Sequence, residues 1–315
     1  MFKIAESVTK YHPDKICDQI SDAILDSCLI QDPYSRVAVE TMGGHNAIVL
    51  TGEVTTKASV DFSQIAKDTY RNLTGKEIGV LTNIVKQSPD ISQGVDNGGA
   101  GDQGIMVGYA CWDNDLFIPQ ELYIARKLLE PFDTDGKSQV VIDEDGEIIN
   151  VVLSVQGKTQ EELSKYLKKQ GIKCDSYCNN TGNFDIGGFD ADSGVTGRKI
   201  VVDAYGPRVP VGGGAFSGKD PTKVDRSGAY MARYVAKHLL KERGAKEVLV
   251  KLGYVIGKSE PLLKLATING IETTFDFDCR PLAIIERLNL RKPVYQKTAE
   301  IGSFGNNVFT WETLP

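Results

Sequence analysis

Apolar residues at Ile16, Ile20, Ala23, Ile24 and Leu29 recur at the spacing of one helix face from about Asp14 to Pro33, which cannot continue a helix. The pattern predicts an amphipathic helix with His12 at its N-terminal mouth. Cys17 and Cys28 share a face of it, where free cysteine behaves as a small buried hydrophobe. Two β-rich runs follow at 36–41 and 47–54, and Met42-Gly43-Gly44 between them reads as a hairpin connection. A second helix is expected on the face of Phe62, Ile65, Thr69 and Leu73, with Ser59 as cap and Gly75 as stop.

The order hairpin then helix appears twice more. Residues 138–142 and 148–155 flank the turn Glu144-Asp145-Gly146 and precede a helix at 161–169. Residues 248–257 and 262–277 alternate like strands before a helix at 281–290 with Leu282, Ile285 and Leu288 on one side. Three such units predict three similar α+β sub-domains, without letter-by-letter repetition. Between them lie two glycine-rich stretches, 88–104 and 206–225, too long for plain connections and therefore candidates for function.

Chemistry concentrates at four places. His12-Pro13-Asp14-Lys15 puts an imidazole, a carboxylate and an amine at the positive end of a helix dipole, which favours anions; an ordinary helix start with Asp14 facing the dipole explains the same residues. In residues 212–226, Gly213 and Gly218-Lys219 match the spacing of a Walker phosphate loop, but Asp220 stands where that loop needs a hydroxyl, and Pro207 and Pro210 interrupt the strand that should precede it. Lys219, Lys223 and Arg226 beside Asp225 still suit a polyphosphate and its metal, against the alternative of a solvated turn. Arg198-Lys199 stand at the mouth of an expected strand at 200–205, as surface charge at a strand edge also would. Finally, 87–104 carries Asp96, Asp102, Gln93 and Gln103 among glycines, the composition of a closing lid or of a loose loop.

Composition narrows the class. With 41% hydrophobic and 25% charged residues over 315 positions, the chain is expected to form a packed core in more than one sub-domain rather than remain disordered. A net charge of -6 argues against a basic nucleic-acid surface, so the local cations point to a small anionic ligand. The six cysteines contain no C-x-x-C pair, and three histidines cannot assemble zinc spacing, so reduced thiols are expected. No apolar run reaches membrane-spanning length, and Met1 to Glu6 turns acidic where a secretion signal would be apolar, so a cytoplasmic location without membrane contact is expected.

Together these segments resemble the S-adenosylmethionine synthetase (methionine adenosyltransferase) family. The likeness is carried by Glu6-Ser7-Val8 with His12-Pro13-Asp14-Lys15, Gly52-Glu53, residues 86–96, Gly99-Ala100-Gly101-Asp102-Gln103-Gly104, Thr196-Gly197-Arg198-Lys199 and residues 212–226, in the family's order over nearly the whole chain. It implies an α/β fold of the α+β type, with three similar sub-domains of sheet plus helices around a pseudo-threefold axis. Their expected boundaries are 1–10 plus 113–187, 11–101 plus 188–226, and 102–112 plus 227–315.

The resemblance also implies transfer of the adenosyl group of ATP to the sulfur of L-methionine, giving S-adenosylmethionine, pyrophosphate and phosphate through bound tripolyphosphate. On that basis His12 faces the departing oxygen, Lys137, Arg198, Lys199, Lys219 and Lys223 hold phosphates, and Phe184, Asp192 and Ala215 make further ATP contacts. Glu53, Gln93, Asp102, Asp192 and Lys223 match the methionine pocket. Asp14 and Asp225 correspond to ligands of two Mg²⁺ per site, and Glu40 to a K⁺ ligand. The family implies a homodimer with shared active sites, or a tetramer. Asn183 precedes Phe184 where the family usually has a basic residue. A non-catalytic regulatory subunit that binds ATP or S-adenosylmethionine is the main alternative; its mark would be loss of His12, Asp14 or the lysines, and all are present. A kinase or ligase would need a general base, for which only His45 and His238 remain.

Overall fold

Three four-stranded sheets organise the chain in a computed structural model that describes residues 2–87 and 98–314. The first runs β1 (Lys3–Val8), β6 (Gly136–Ile142), β7 (Ile148–Val155), β8 (Asp175–Cys178). The second runs β4 (Gly79–Val85), β3 (Ala47–Thr55), β2 (Arg36–Gly44), β9 (Gly194–Val195). The third runs β12 (Ile271–Thr273), β11 (Leu263–Ile268), β10 (Glu247–Tyr254), β5 (Gly104–Cys111). Each sheet joins strands distant in sequence, as where Val8 of β1 pairs with Lys137 of β6.

Helices cover one side of the sheets. They are α1 (Pro13–Gln31), α2 (Phe62–Thr74), α3 (Gln120–Lys127), α4 (Gln160–Lys169), α5 (Ile200–Asp203), α6 (Val224–Glu242), α7 (Pro281–Arg287) and α8 (Tyr295–Ile301). One hydrophobic cluster gathers α1 and α6 with the second and third sheets, and a smaller one gathers α4 with the first sheet around Val140, Leu153 and Leu163. The opposite faces of the sheets leave Ile4, Met42, Leu81, Val85, Ile105 and Leu263 exposed.

Several local expectations change. α1 is present, but its polar positions Asp14, Lys15, Asp18, Ser21 and Asp22 are buried too, so it is a central helix rather than one with a solvated face. The first hairpin turns at His45-Asn46, both with positive φ (47° and 70°), because Gly43 and Gly44 continue β2. Asp61, not Ser59, caps α2 by accepting the Gln64 N–H, while Gly75 ends it in the left-handed region as expected. Residues 200–205 form no strand: Ile200–Asp203 is a single helical turn, so the β-branched run Ile200-Val201-Val202 was a misleading strand signal. All six cysteines are free thiols.

Candidate functional site

The N-terminus of α1 is built to hold a neutral imidazole. His12 is the cap residue, and its Nδ1 accepts the Asp14 N–H at 3.2 Å. Burial, then the nearby Lys199 ammonium, push the imidazole down to about 4, so it is uncharged at neutral pH. With Nδ1 accepting, the proton of the neutral ring lies on Nε2, which is therefore a donor. Asp14 receives the Val195 N–H at 2.9 Å on one oxygen and the Lys199 ammonium on the other, with Arg198 Nε at 3.3 Å. Burial alone would raise this carboxyl; the Lys199 and Val195 hydrogen bonds outweigh it and hold Asp14 below its ordinary range.

Lys137 and Asp192 act electrostatically on His12 as well, which brings His12, Asp14, Lys137, Asp192, Arg198 and Lys199 into one neighbourhood. Lys137 pairs with Glu6 at 2.9 Å on the exposed face of the first sheet. Phe184 is half-buried near the end of β7, its carbonyl accepting the Gly157 N–H.

A second group forms around residues 212–225. Lys219 lies against β2 as a bridge partner of Ala38, and its ammonium meets Asp225 Oδ2 at 2.7 Å. The same row of the second sheet continues from Ala38 to Glu53 and Val85, so Glu53 is aligned with Lys219. Glu40 shares the Lys219 environment: desolvation raises its carboxyl and Lys219 opposes that rise. Lys223 pairs with Asp220, whose carboxylate also accepts the Val37 and Thr222 N–H groups.

Gly214 lies against the Asp225 carboxylate, where an added Cβ would stand 2.1 Å from its carboxyl carbon. Gly104 approaches the same carboxylate, so the start of β5, two residues after exposed Asp102, reaches this group. Gln93 lies outside the described residues. Ala215 connects the two groups, since a Cβ on Gly197 would stand 2.6 Å from the Ala215 Cβ.

One cation expected to bind phosphate, Arg226, does something else. Arg226 is fully buried, bidentate with Asp22 at 2.7 Å on each side, and also donates to Tyr230, Thr298 and the Lys219 carbonyl. Arg208 pairs with Asp113 and Glu121. Sequence reasoning missed Asp18 and Asp22, which accept the Gly197 and Gly218 N–H groups at 2.8 Å each. The available signal was the spacing Asp14, Asp18, Asp22, carboxylates recurring every four residues along one line of the helix. Among the described residues no group of three His, Cys, Asp or Glu side chains converges as a metal cage, and Asp14 and Asp225 belong to separate groups.

Sequence comparisons identify the family. The model for the N-terminal domain of S-adenosylmethionine synthetase matches residues 1–89, that for the central domain 97–181, and that for the C-terminal domain 186–313. An S-adenosylmethionine synthase of Brachyspira hyodysenteriae is 43% identical, over 98% of this chain and 94% of its own length. With three domain models in sequence order and a relative of that identity along almost its whole length, the chain belongs to the S-adenosylmethionine synthetase family.

Proposed function

We propose that this methionine adenosyltransferase works by exchanging charge partners. The observation that carries the reading is that Lys199, Lys219 and Lys223 are each paired with an aspartate: Asp14, Asp225 and Asp220. Incoming ATP would offer phosphate oxygens to the lysines, while Asp14 and Asp225 would hold Mg²⁺ and Asp220 would keep the Val37 and Thr222 N–H groups, so no carboxylate of a broken pair would be left bare. Magnesium, two ions per site in this reading, supplies charge neutralisation on the polyphosphate. Glu40, at the edge of the Lys219 group, is the proposed K⁺ ligand.

The thioether sulfur of methionine is already a neutral nucleophile, so its attack on ribose C5′ needs no general base. What the transition state needs is stabilisation of the departing tripolyphosphate oxygen. Neutral His12 donates its Nε2–H to that oxygen, while Lys137, Arg198, Lys199, Lys219 and Lys223 meet the phosphate chain, which is then cut to pyrophosphate and phosphate. Phe184 and Asp192 bind the nucleoside with Ala215. Glu53, Asp102 and Gln93 bind methionine, with Asp192 and Lys223 at its border.

The exposed apolar residues on all three sheets support an isologous dimer formed face to face, with His12 of one copy and Lys219 of its partner completing one site. A tetramer would be a pair of such dimers. The proposed sub-domains are 1–10 plus 113–187, 11–101 plus 188–226 and 102–112 plus 227–315, supported by one sheet falling in each. Among the described residues no helix is long and apolar enough to cross a membrane, and a cytoplasmic location is proposed. Incubation with ATP, L-methionine, Mg²⁺ and K⁺, followed by mass spectrometry, should detect S-adenosylmethionine. Absence of product from folded protein that binds ATP would favour the regulatory-subunit alternative.

A further inference from the structure

The two cation-bearing loops share a local design. In one, Thr196-Gly197-Arg198-Lys199, Gly197 has φ +80° and donates its N–H to Asp18 Oδ1 at 2.8 Å. In the other, Ser217-Gly218-Lys219, Gly218 has φ +79° and donates its N–H to Asp22 Oδ1 at 2.8 Å. Each glycine sits in backbone that disfavours a side chain, and each lacks room for one, with the Ala215 Cβ 2.6 Å from the Cβ position of Gly197 and the Val39 carbonyl oxygen 2.1 Å from that of Gly218. In both, the residue immediately after the held amide is a cation.

From this repetition we infer that Asp18 and Asp22 are positioning residues: the aspartate stripe of α1 fixes where the phosphate-binding cations stand. Asp18 and Asp22 are one helical turn apart, so the two held amides are offset by about 6 Å along a rigid rod. The rod is buried around Asp14, Asp18 and Asp22, which makes each carboxylate–amide bond hard to replace with water. Asp22 also binds Arg226, which in turn donates to the Lys219 carbonyl, so the Lys219 peptide is gripped before and after its side chain. Thr196 adds a side anchor, its hydroxyl lying 2.8 Å from the Ser21 hydroxyl of the same helix and accepting the Thr41 N–H. Cations already fixed at their working positions need no reorganisation when charge develops, which is where such groups are most effective.

This inference rests on the phosphate-binding reading of Arg198 and Lys199. Asp22 is a poor subject for its test, because removing it strands the buried Arg226. Asp18 is better: its other partner, Lys15, keeps the Asp203 carboxylate. Inorganic tripolyphosphate with Mg²⁺, measured by calorimetry on the full chain, is the probe, because a partly unfolded preparation changes the stoichiometry but not the dissociation constant.

Asp18→Asn keeps an acceptor oxygen and should bind within about threefold of the parent, whereas Asp18→Ala should bind about tenfold more weakly, the loss expected for one misplaced charge-assisted contact. Should the alanine variant fail to fold, Asp18→Glu keeps the charge but shifts the acceptor by one methylene and should show a similar weakening. Unchanged affinity in Asp18→Ala, or in Asp18→Glu when alanine does not fold, overturns the positioning role. Failure of the parent protein to bind tripolyphosphate would instead overturn the phosphate-binding reading and, with it, this inference.

Discussion

Replacing His12 with asparagine separates two things the imidazole does. As the cap of α1 it accepts the Asp14 N–H, and asparagine is a preferred cap residue that can accept that bond. The Nε2–H on the far side of the ring has no equivalent in a shorter amide whose oxygen is turned to the cap. Losing one preorganised donor to a developing oxyanion costs about 10²–10³ in kcat, or roughly 3–4 kcal/mol. Steady-state formation of S-adenosylmethionine at saturating ATP and methionine should fall by that factor, while hydrolysis of added tripolyphosphate, which depends on the lysines, should stay within about threefold.

The same variant carries a pH signature. Folding lowers the His12 imidazole from 6.5 to about 4, through burial and then Lys199. The unfolded chain therefore binds this proton more readily than the folded one, so the parent loses stability as pH falls from 6.5 to about 4. The displacement is worth about 3 kcal/mol. His12→Asn lacks this term, so in urea titrations its stability relative to the parent should rise by about that amount between neutral pH and pH 4. Because the imidazole is already neutral above pH 5, the parent's activity should show no His12-linked step between about pH 6 and 8. Equal loss of both activities, or parallel stability–pH curves for variant and parent, would refute the reasoning.

Asp14→Asn or Asp225→Asn should raise the Mg²⁺ needed for half-maximal activity by about tenfold or more, since each removes a charged ligand from a cation that usually keeps one or two carboxylates; unchanged magnesium titrations in both would remove the metal role. Arg226→Met should destabilise the fold by about 3–5 kcal/mol by leaving Asp22 buried and unpaired, read as a lowered urea midpoint. A loss of tripolyphosphate affinity without a change in that midpoint would instead make Arg226 a ligand-binding cation.

Much of the second half of the site was hidden for one reason: its residues act through burial. In the sequence, Arg226 stands among Lys219, Lys223 and Asp225 and reads as one more cation, yet it lies in the core against Asp22 and over the Tyr295 ring. Asp18 and Asp22 read as the polar face of an amphipathic helix because nothing local reveals that a second layer covers that face. By contrast, α1, the 36–55 hairpin region, α2 and α4 were visible because periodicity and stop signals act locally. β5 and α6 were missed because glycine-rich segments ran directly into them and masked their starts. The family-bearing motifs were legible as words; the carboxylates that hold them at their spacing were not.

The proposed division of one site between two copies is tested most directly by mixing damaged chains. His12→Asn and Lys219→Ala proteins, each severely impaired alone, are combined under conditions that exchange subunits, with exchange followed by mass tagging. About half of the dimers should then be mixed, each with one doubly damaged and one intact site, so activity should recover to about a quarter of the parent level. If His12 and Lys219 instead served the same site from within one chain, every site would keep a lesion, and activity would stay at the level of the unmixed variants despite demonstrated exchange.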